Sequence, residues 1–145
     1  MNRLAIIDGY SSKHYAIIDI LPKRVPAQFG EQYFKIERFF MSAPHFDDIV
    51  QRFSRFLLKL YSYTNIDVYE VNHELWMSNP EPNELHSLIL ACQPLNILCK
   101  SFDVMIVVSG EDHYMTVYGA DVEARHFLSE LASSEGLFLW EPDEV

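Results

Sequence analysis

Residue types that bind metal ions or transfer protons are scattered along this sequence. None of its six histidines has another histidine three or four residues away, the spacing that puts two ligands on one helical face. Only two tight clusters combine histidine with acids, and these are His45-Phe46-Asp47 and Glu111-Asp112-His113. Asp is expected at a helix start, and Asp and His are ordinary residues in a hairpin turn. We therefore expect no metal centre and no cofactor.

Acid–base chemistry could use a pair of carboxylates, and Asp8 and Asp19 are the available candidates. Each follows a short β-branched run, so the two would end neighbouring strands. We favour the interpretation that they are turn residues at strand ends. With five glycines, the chain has no phosphate-binding loop or dinucleotide fingerprint, and it lacks Gly-x-Ser-x-Gly. The sequence predicts that this chain is not an enzyme.

Three segments place a large aromatic side chain among acids. They are the turn Glu111-Asp112-His113-Tyr114, the irregular Glu74-Leu75-Trp76-Met77 and the end Trp140-Glu141-Pro142-Asp143-Glu144. Tyrosine and tryptophan anchor protein interfaces, and acids around them suit a partner rich in Lys and Arg. Core packing is the alternative for each tryptophan taken alone. The predicted partner-binding residues are Glu74, Trp76, Glu111, Asp112, His113, Tyr114, Glu141, Asp143 and Glu144.

Charge is unevenly distributed along the chain. Residues 1–60 carry nine Lys or Arg against six Asp or Glu, whereas residues 61–145 carry two against fifteen. The net charge of the whole chain is −10. Nucleic-acid binding through a phosphate-neutralising patch is therefore not expected. The acidic C-terminal half would steer a basic partner toward it, although acidic surfaces also serve solubility alone.

Length and composition describe one globular domain, residues 1–145. An apolar content of 49%, with 14% aromatic residues, is enough to bury a core at this length. The longest apolar runs are about five residues, such as 104–108, whereas a membrane span needs about 18. Asp8 interrupts the N-terminus before the apolar region of a signal peptide could form. Cys92 and Cys99 are predicted to be buried thiols, and we expect a cytoplasmic location without a membrane partner.

The elements that would position these residues follow from hydrophobic periodicity. We predict strands at residues 4–8, 15–19 and 33–40, the first two as a hairpin, and then a long amphipathic helix from Pro44. A strand at 66–71, an irregular segment at 72–79, a short helix at 81–93 and an ambiguous connector at 95–99 follow. Residues 103–136 form strand, turn, strand and helix, and residues 137–140 are a possible last strand. The predicted fold class is α+β, a mostly antiparallel sheet of about five to seven strands with two or three packed helices.

One region carries a family resemblance. Residues 104–118, VMIVVSGEDHYMTVY, continued by residues 120–128, ADVEARHFL, resemble a pattern common in bacterial polymorphic-toxin immunity proteins. Those are small, acidic α+β proteins, including those of contact-dependent inhibition systems, that bind and block a cognate toxin, often a nuclease. The resemblance covers about a quarter of the chain and is architectural, without a diagnostic motif. It implies an immunity or inhibitor protein that binds and neutralises a cognate basic toxin domain.

Two alternatives to an inhibitor stay open at this point. The first is a small enzyme or ligand-binding domain with a pocket that the sequence conceals, which a cleft lined by Asp8, Asp19 or several histidines would favour. The second is a regulatory subunit whose aromatic residues form a homo-oligomer interface, although we expect a monomer.

Overall fold

Short strands and helices alternate along the chain, and the strands join one sheet. The computed structural model describes residues 2–142. The α-helices in that part of the chain are α1 (Arg3–Ser11), α2 (Gly30–Phe40), α3 (His45–Tyr61), α4 (Pro82–Leu90) and α5 (Val122–Ser133). The strands there are β1 (Tyr15–Asp19), β2 (Ile66–Glu70), β3 (Leu75–Ser78), β4 (Leu95–Cys99), β5 (Val104–Val108), β6 (Tyr114–Tyr118) and β7 (Phe138–Trp140). The predicted α+β class with an antiparallel sheet is confirmed.

The strand order is β3-β2-β4-β5-β6-β1-β7, and the neighbouring strands pair antiparallel. β1, from the start of the chain, lies between β6 and β7 from its last third. Tyr15 pairs with Tyr118 on one side of β1, and Ile17 pairs with Trp140 on the other. The sheet therefore brings residues from both ends of the sequence into direct register.

The main core lies between one face of the sheet and the helices α3, α4 and α5. α3 supplies a stripe of buried apolar side chains at helical spacing: Ile49, Val50, Phe53, Phe56, Leu57 and Leu60. Strand residues alternate between the two faces, so β1 sends Ile18 and β6 sends Met115 and Val117 into this core. Burial of α3's apolar stripe follows directly from its 3.6-residue period.

α1 packs on the opposite face of the sheet, which we call the α1 face. Its single buried residue, Ile7, contacts Leu98 of β4 and Met105 of β5. Beside α1, the chain between β1 and α2 borders the part of this face formed by β1, β6 and β7.

α5 is tied to α3 by charge as well as by packing. Glu135, just after α5, accepts from Arg55 Nε and Lys59 Nζ, each at 2.6 Å. Burial raises the pKa of the Glu135 carboxyl, but the hydrogen bonds from Lys59 and Arg55 outweigh it and hold that pKa below the usual value.

Two of the predicted strands are helices. Residues 4–8 belong to α1, whose first turn is capped by the Asn2 side chain accepting from the Leu4 N–H at 2.9 Å. The predicted strand at 33–40 lies in α2, and its alternation is also compatible with a helix. Phe34 and Ile36 of α2 are 59% and 52% exposed. These two helices raise the helix count within residues 2–142 to five.

The other predictions of local structure are mostly confirmed. The long helix is α3, the short helix is α4, and the strand–turn–strand–helix unit at 103–136 is β5, β6 and α5. Asp121 caps α5, and Gly136 has φ +70° after the helix ends. The ambiguous segment 95–99 is β4, and the irregular segment contains the strand β3.

Both cysteines are free thiols, but they differ in burial. Cys99 is buried, which raises the pKa of its thiol to about 12, whereas Cys92 is only partly buried. None of the helices in residues 2–142 has the length and apolar character that crossing a membrane requires.

Candidate ligand-binding cleft

A cleft of about 540 Å³ opens on the α1 face over β1, β6 and β7. Its floor is formed by Tyr15, Ile17 and Asp19 of β1, by Tyr114, Thr116 and Tyr118 of β6, and by Trp140 of β7. Its wall is the segment after β1, from Leu21 to Ala27, with Gly30 and Tyr33 of α2. Alternation along the strands places these floor residues here, because Ile18, Met115 and Val117 point to the opposite face.

Aromatic rings dominate the floor of this cleft. The four aromatic floor residues are Tyr15, Tyr114, Tyr118 and Trp140. The rings of Tyr15 and Tyr118 contact each other across the β1–β6 pair, with their centroids 5.9 Å apart. Because these residues stand on hydrogen-bonded strands, their positions are set before any ligand arrives.

A network of polar side chains closes one end of the cleft. His113 is 3% exposed and Asp19 is 4% exposed, and His113 Nδ1 lies 2.7 Å from Asp19 Oδ1. The other ring nitrogen, Nε2, lies 3.1 Å from Glu37 Oε2 and 2.9 Å from the Tyr33 hydroxyl. Tyr33 in turn donates to Glu37 at 3.0 Å, and the Ile20 N–H donates to Asp19 at 2.7 Å. The imidazole therefore joins β1, β6 and α2.

The electrostatics of the network favour a charged imidazole. Burial lowers the pKa of His113. The hydrogen bonds and charges of Asp19 and Glu37 together raise it by more than burial lowers it, so the pKa lies above its ordinary value. The Tyr33 hydroxyl is kept protonated, because burial and its hydrogen bond to Glu37 raise its pKa. Burial and the nearby charge of Asp112 also raise the pKa of Tyr114.

This arrangement is suited to holding structure in place. Both ring nitrogens of His113 are engaged by protein groups, so the imidazole has no free position from which to take a proton from a ligand. A phenol with a raised pKa is a poor acid at neutral pH. The network instead fixes α2 against the strand ends and defines the shape of the cleft.

Five of the nine predicted partner-binding residues lie at or beside the cleft. His113 and Tyr114 line it, Glu111 and Asp112 precede them in the turn before β6, and Glu141 lies between the lining residues Trp140 and Pro142. His113 is buried, however, so it acts inside the protein and is not an exposed turn residue.

The remaining predicted residues lie elsewhere. Glu74 and Trp76 belong to the β2–β3 turn and to edge strand β3, four strand spacings of about 4.8 Å from β6. Trp76 is partly buried against Tyr69, and the Arg3 guanidinium lies 4.9 Å from its ring centre. Asp143 and Glu144 lie outside the described residues. The predicted surface is therefore not one continuous patch within residues 2–142.

Much of the acidic charge near the cleft is already paired. Glu141 accepts from Arg125 Nε at 2.8 Å and lies 3.7 Å from His14 Nε2. Asp112 accepts from the Ser109 hydroxyl at 2.8 Å, whereas Glu111 is exposed. Of the carboxylates considered for acid–base chemistry, Asp19 lines the cleft and Asp8 is exposed on α1.

Several residues of the cleft and of the His113 network are not predicted from the sequence as site residues. Tyr33 of the wall and Glu37 of the network lie in the predicted strand 33–40, and only their i, i+4 spacing could place both on one helical face. Lys23 and Arg24 form the only adjacent basic pair in the chain, which is the signal that the sequence does contain for the cleft wall.

The described residues contain no group of three or more His, Cys, Asp or Glu side chains arranged to hold a metal ion. Comparison with known proteins found no matching family model, no matching curated protein and no matching solved structure. The function is therefore argued from the cleft itself.

Proposed function

We propose that this chain is a binding protein whose cleft holds a flat apolar or aromatic group of its ligand. The observation that carries the proposal is the row of aromatic residues Tyr15, Tyr114, Tyr118 and Trp140 on the floor of an open cleft of about 540 Å³. Ligand sites are typically concave, mostly apolar and about 300–1,000 Å³ in volume, with a few polar groups that fix orientation. Strands and the His113 network hold this site in shape, which reduces the entropy lost on binding.

Binding is proposed in preference to catalysis because the ionisable groups at the end of the cleft are hydrogen-bonded to one another. Asp19, His113 and Glu37 are joined in one hydrogen-bonded chain. A ligand in the cleft would meet ring faces and the outer edge of this network. A cleft lined by Asp8, Asp19 or several histidines was expected to favour the alternative of a small enzyme or ligand-binding domain, and this cleft is lined by Asp19 and by one histidine, His113.

The test uses naphthalen-2-ylmethanol, a neutral flat probe, and follows the indole N–H resonances by NMR. The Trp140 resonance should shift saturably, whereas that of Trp76 should not, because Trp76 lies on edge strand β3 away from the cleft. Thr116→Phe should abolish the shift by filling the floor of the cleft, and aromatic residues are well tolerated in strands. Thr116→Val, which keeps the volume of the side chain, is the matched control and should bind the probe as the natural chain does. Unchanged binding by Thr116→Phe, or no Trp140 shift in the natural chain, would overturn the proposal.

The second candidate is the toxin inhibitor implied by the family resemblance. It is favoured by one observation: the exposed Glu111, with Tyr114, lies at one end of the cleft, and Glu141 follows Trp140 in its lining. In that case the cleft would hold an apolar side chain of a basic toxin domain, and Glu111 would attract its cations. Co-expression with a basic toxin domain encoded beside this gene should protect cells, and Glu111→Lys with Asp112→Lys should remove the protection. Full protection by the reversed variant would exclude the acidic turn as the contact.

A further inference from the structure

The wall of the cleft carries two cations that form no ion pair with a described residue. Lys23 and Arg24 both line the cleft, and both are exposed. Six of the other nine Lys and Arg side chains form ion pairs within the described residues: Lys13, Arg52, Arg55, Lys59, Lys100 and Arg125. Of the three that do not, Arg3 lies over the Trp76 ring, and Lys35 and Arg38 lie outside the cleft lining. Lys23 and Arg24 differ from these three because they line a cleft with an aromatic floor.

The loop that carries this pair is stiffened by its own sequence. Pro22 and Pro26 flank Lys23-Arg24-Val25, and each proline fixes its own backbone φ angle near −65°. Val25 and Pro26 line the cleft together with the two cations. The basic groups are therefore held along the wall at a lower entropic cost than on a flexible loop.

Most of the acidic groups at the cleft are already engaged. The Asp19 carboxylate is bonded to His113, and Glu141 is paired with Arg125. Asp112 accepts from the Ser109 hydroxyl, so the exposed Glu111, in the turn at one end of the cleft, is the acid nearest to a free charge there. The more distant acids that make the chain negative are screened over about 8 Å at physiological ionic strength. A ligand group against the wall is governed by the nearest charges, and these are Lys23 and Arg24.

We infer that the ligand of the cleft is a small aromatic acid: its flat body lies on the tyrosine and tryptophan floor, and its anionic group faces Lys23 and Arg24. This inference rests on the proposed binding function and adds the charge of the ligand to it. Guanidinium and ammonium groups bind a carboxylate through charge-assisted hydrogen bonds, which are stronger than neutral ones.

A matched pair of probes tests the preference for an anionic ligand separately from ligand binding itself. Naphthalene-2-carboxylate and naphthalen-2-ylmethanol have nearly the same shape and differ in charge. The natural chain should bind the carboxylate about tenfold more tightly than the alcohol, as measured from the Trp140 indole shift. Added salt should reduce that preference toward unity. The net negative charge of the chain acts against this result, so a preference for the anion must come from local cations.

Paired variants locate the effect on the wall. Lys23→Gln with Arg24→Gln should bind both probes equally, whereas Lys35→Gln with Arg38→Gln makes the same charge change outside the cleft and should keep the preference. If the alcohol binds but the carboxylate binds no more tightly, the inference fails and the binding function stands. If the Lys23/Arg24 variant still binds the carboxylate more tightly than the alcohol, these two residues are not the source of the preference. If neither probe shifts Trp140, the proposed function itself fails.

Discussion

Replacing His113 with glutamine removes the cation held between the carboxylates of Asp19 and Glu37. Asp19 is 4% exposed and would keep the Ile20 N–H as its hydrogen-bond donor. Removing one member of a buried ion pair costs about 3–5 kcal/mol, and the retained bond places this case near the lower limit. Glu37, with 33% of its side chain exposed, adds little to that loss. We expect the free energy of unfolding to fall by about 3 kcal/mol at mildly acidic pH.

The sign of the pH dependence follows from the direction of the pKa shift. The folded pKa of His113 is raised above its ordinary value of 6.5, so the folded chain binds the proton more tightly than the unfolded chain. The resulting stability is fully present below the unfolded pKa and is lost as pH rises through the folded pKa. The difference in stability between the natural chain and His113→Gln should therefore shrink in alkaline solution.

Urea unfolding, followed by circular dichroism at a series of pH values on both sides of 6.5, measures this difference. His126→Gln is the control, because His126 is 80% exposed in its side chain and its replacement should change stability by less than about 0.5 kcal/mol. A difference that is independent of pH, or that grows as pH rises, would refute the charged-imidazole assignment.

Further predictions concern the backbone and the α3–α5 contact. Gly110→Ala should destabilise the fold by more than about 1 kcal/mol, because Gly110 has φ +83° and an added Cβ would lie 2.1 Å from the Cys92 carbonyl oxygen. Gly9→Ala is its matched control in α1, where nothing lies within 4 Å of the added Cβ, and should stabilise by about 0.5–1 kcal/mol in thermal melts. Glu135→Gln should cost about 1 kcal/mol at neutral pH, since its two cationic partners on α3 are half exposed. Because the folded pKa of Glu135 is lowered, this cost is fully present above the ordinary pKa of 4.5 and should disappear as pH falls through the folded pKa, which an acid titration of stability would detect.

The sequence predicts the fold well where hydrophobic periodicity is long. α3 has an uninterrupted apolar stripe over four turns, and the unit at 103–136 combines a buried strand, turn residues and a capped helix. The segments predicted wrongly are short and weakly patterned. α1 buries one residue and has little helical periodicity. In α2 the residues Tyr33, Ile36 and Phe40 stand at helical spacing, but Phe34, Ile36 and Phe40 also alternate, so the pattern is compatible with a helix or a strand.

The candidate site was harder to predict because its parts are distant in sequence. Asp19 and His113 are separated by 94 positions, and Glu37 and His113 by 76. No local pattern in the sequence indicates a contact between residues so far apart. These contacts depend on the order of the strands in the sheet. The residues before His113 have the composition of an exposed turn, but the pairing of β1 with β6 buries the His113 side chain against Asp19.

The place of β1 within the sheet also governs the order in which the protein can assemble during synthesis. β1 leaves the ribosome before β2 to β5, but both of its neighbours, β6 and β7, are translated only after those strands. Its apolar residues Ile17 and Ile18 therefore stay unpaired while the residues between β1 and β6 are made. The strands β2 to β5 follow one another in the chain, with α4 between β3 and β4, and can pair earlier. The cleft is thus completed last, and a nascent chain halted before Tyr114 would hold a partial sheet without a binding site.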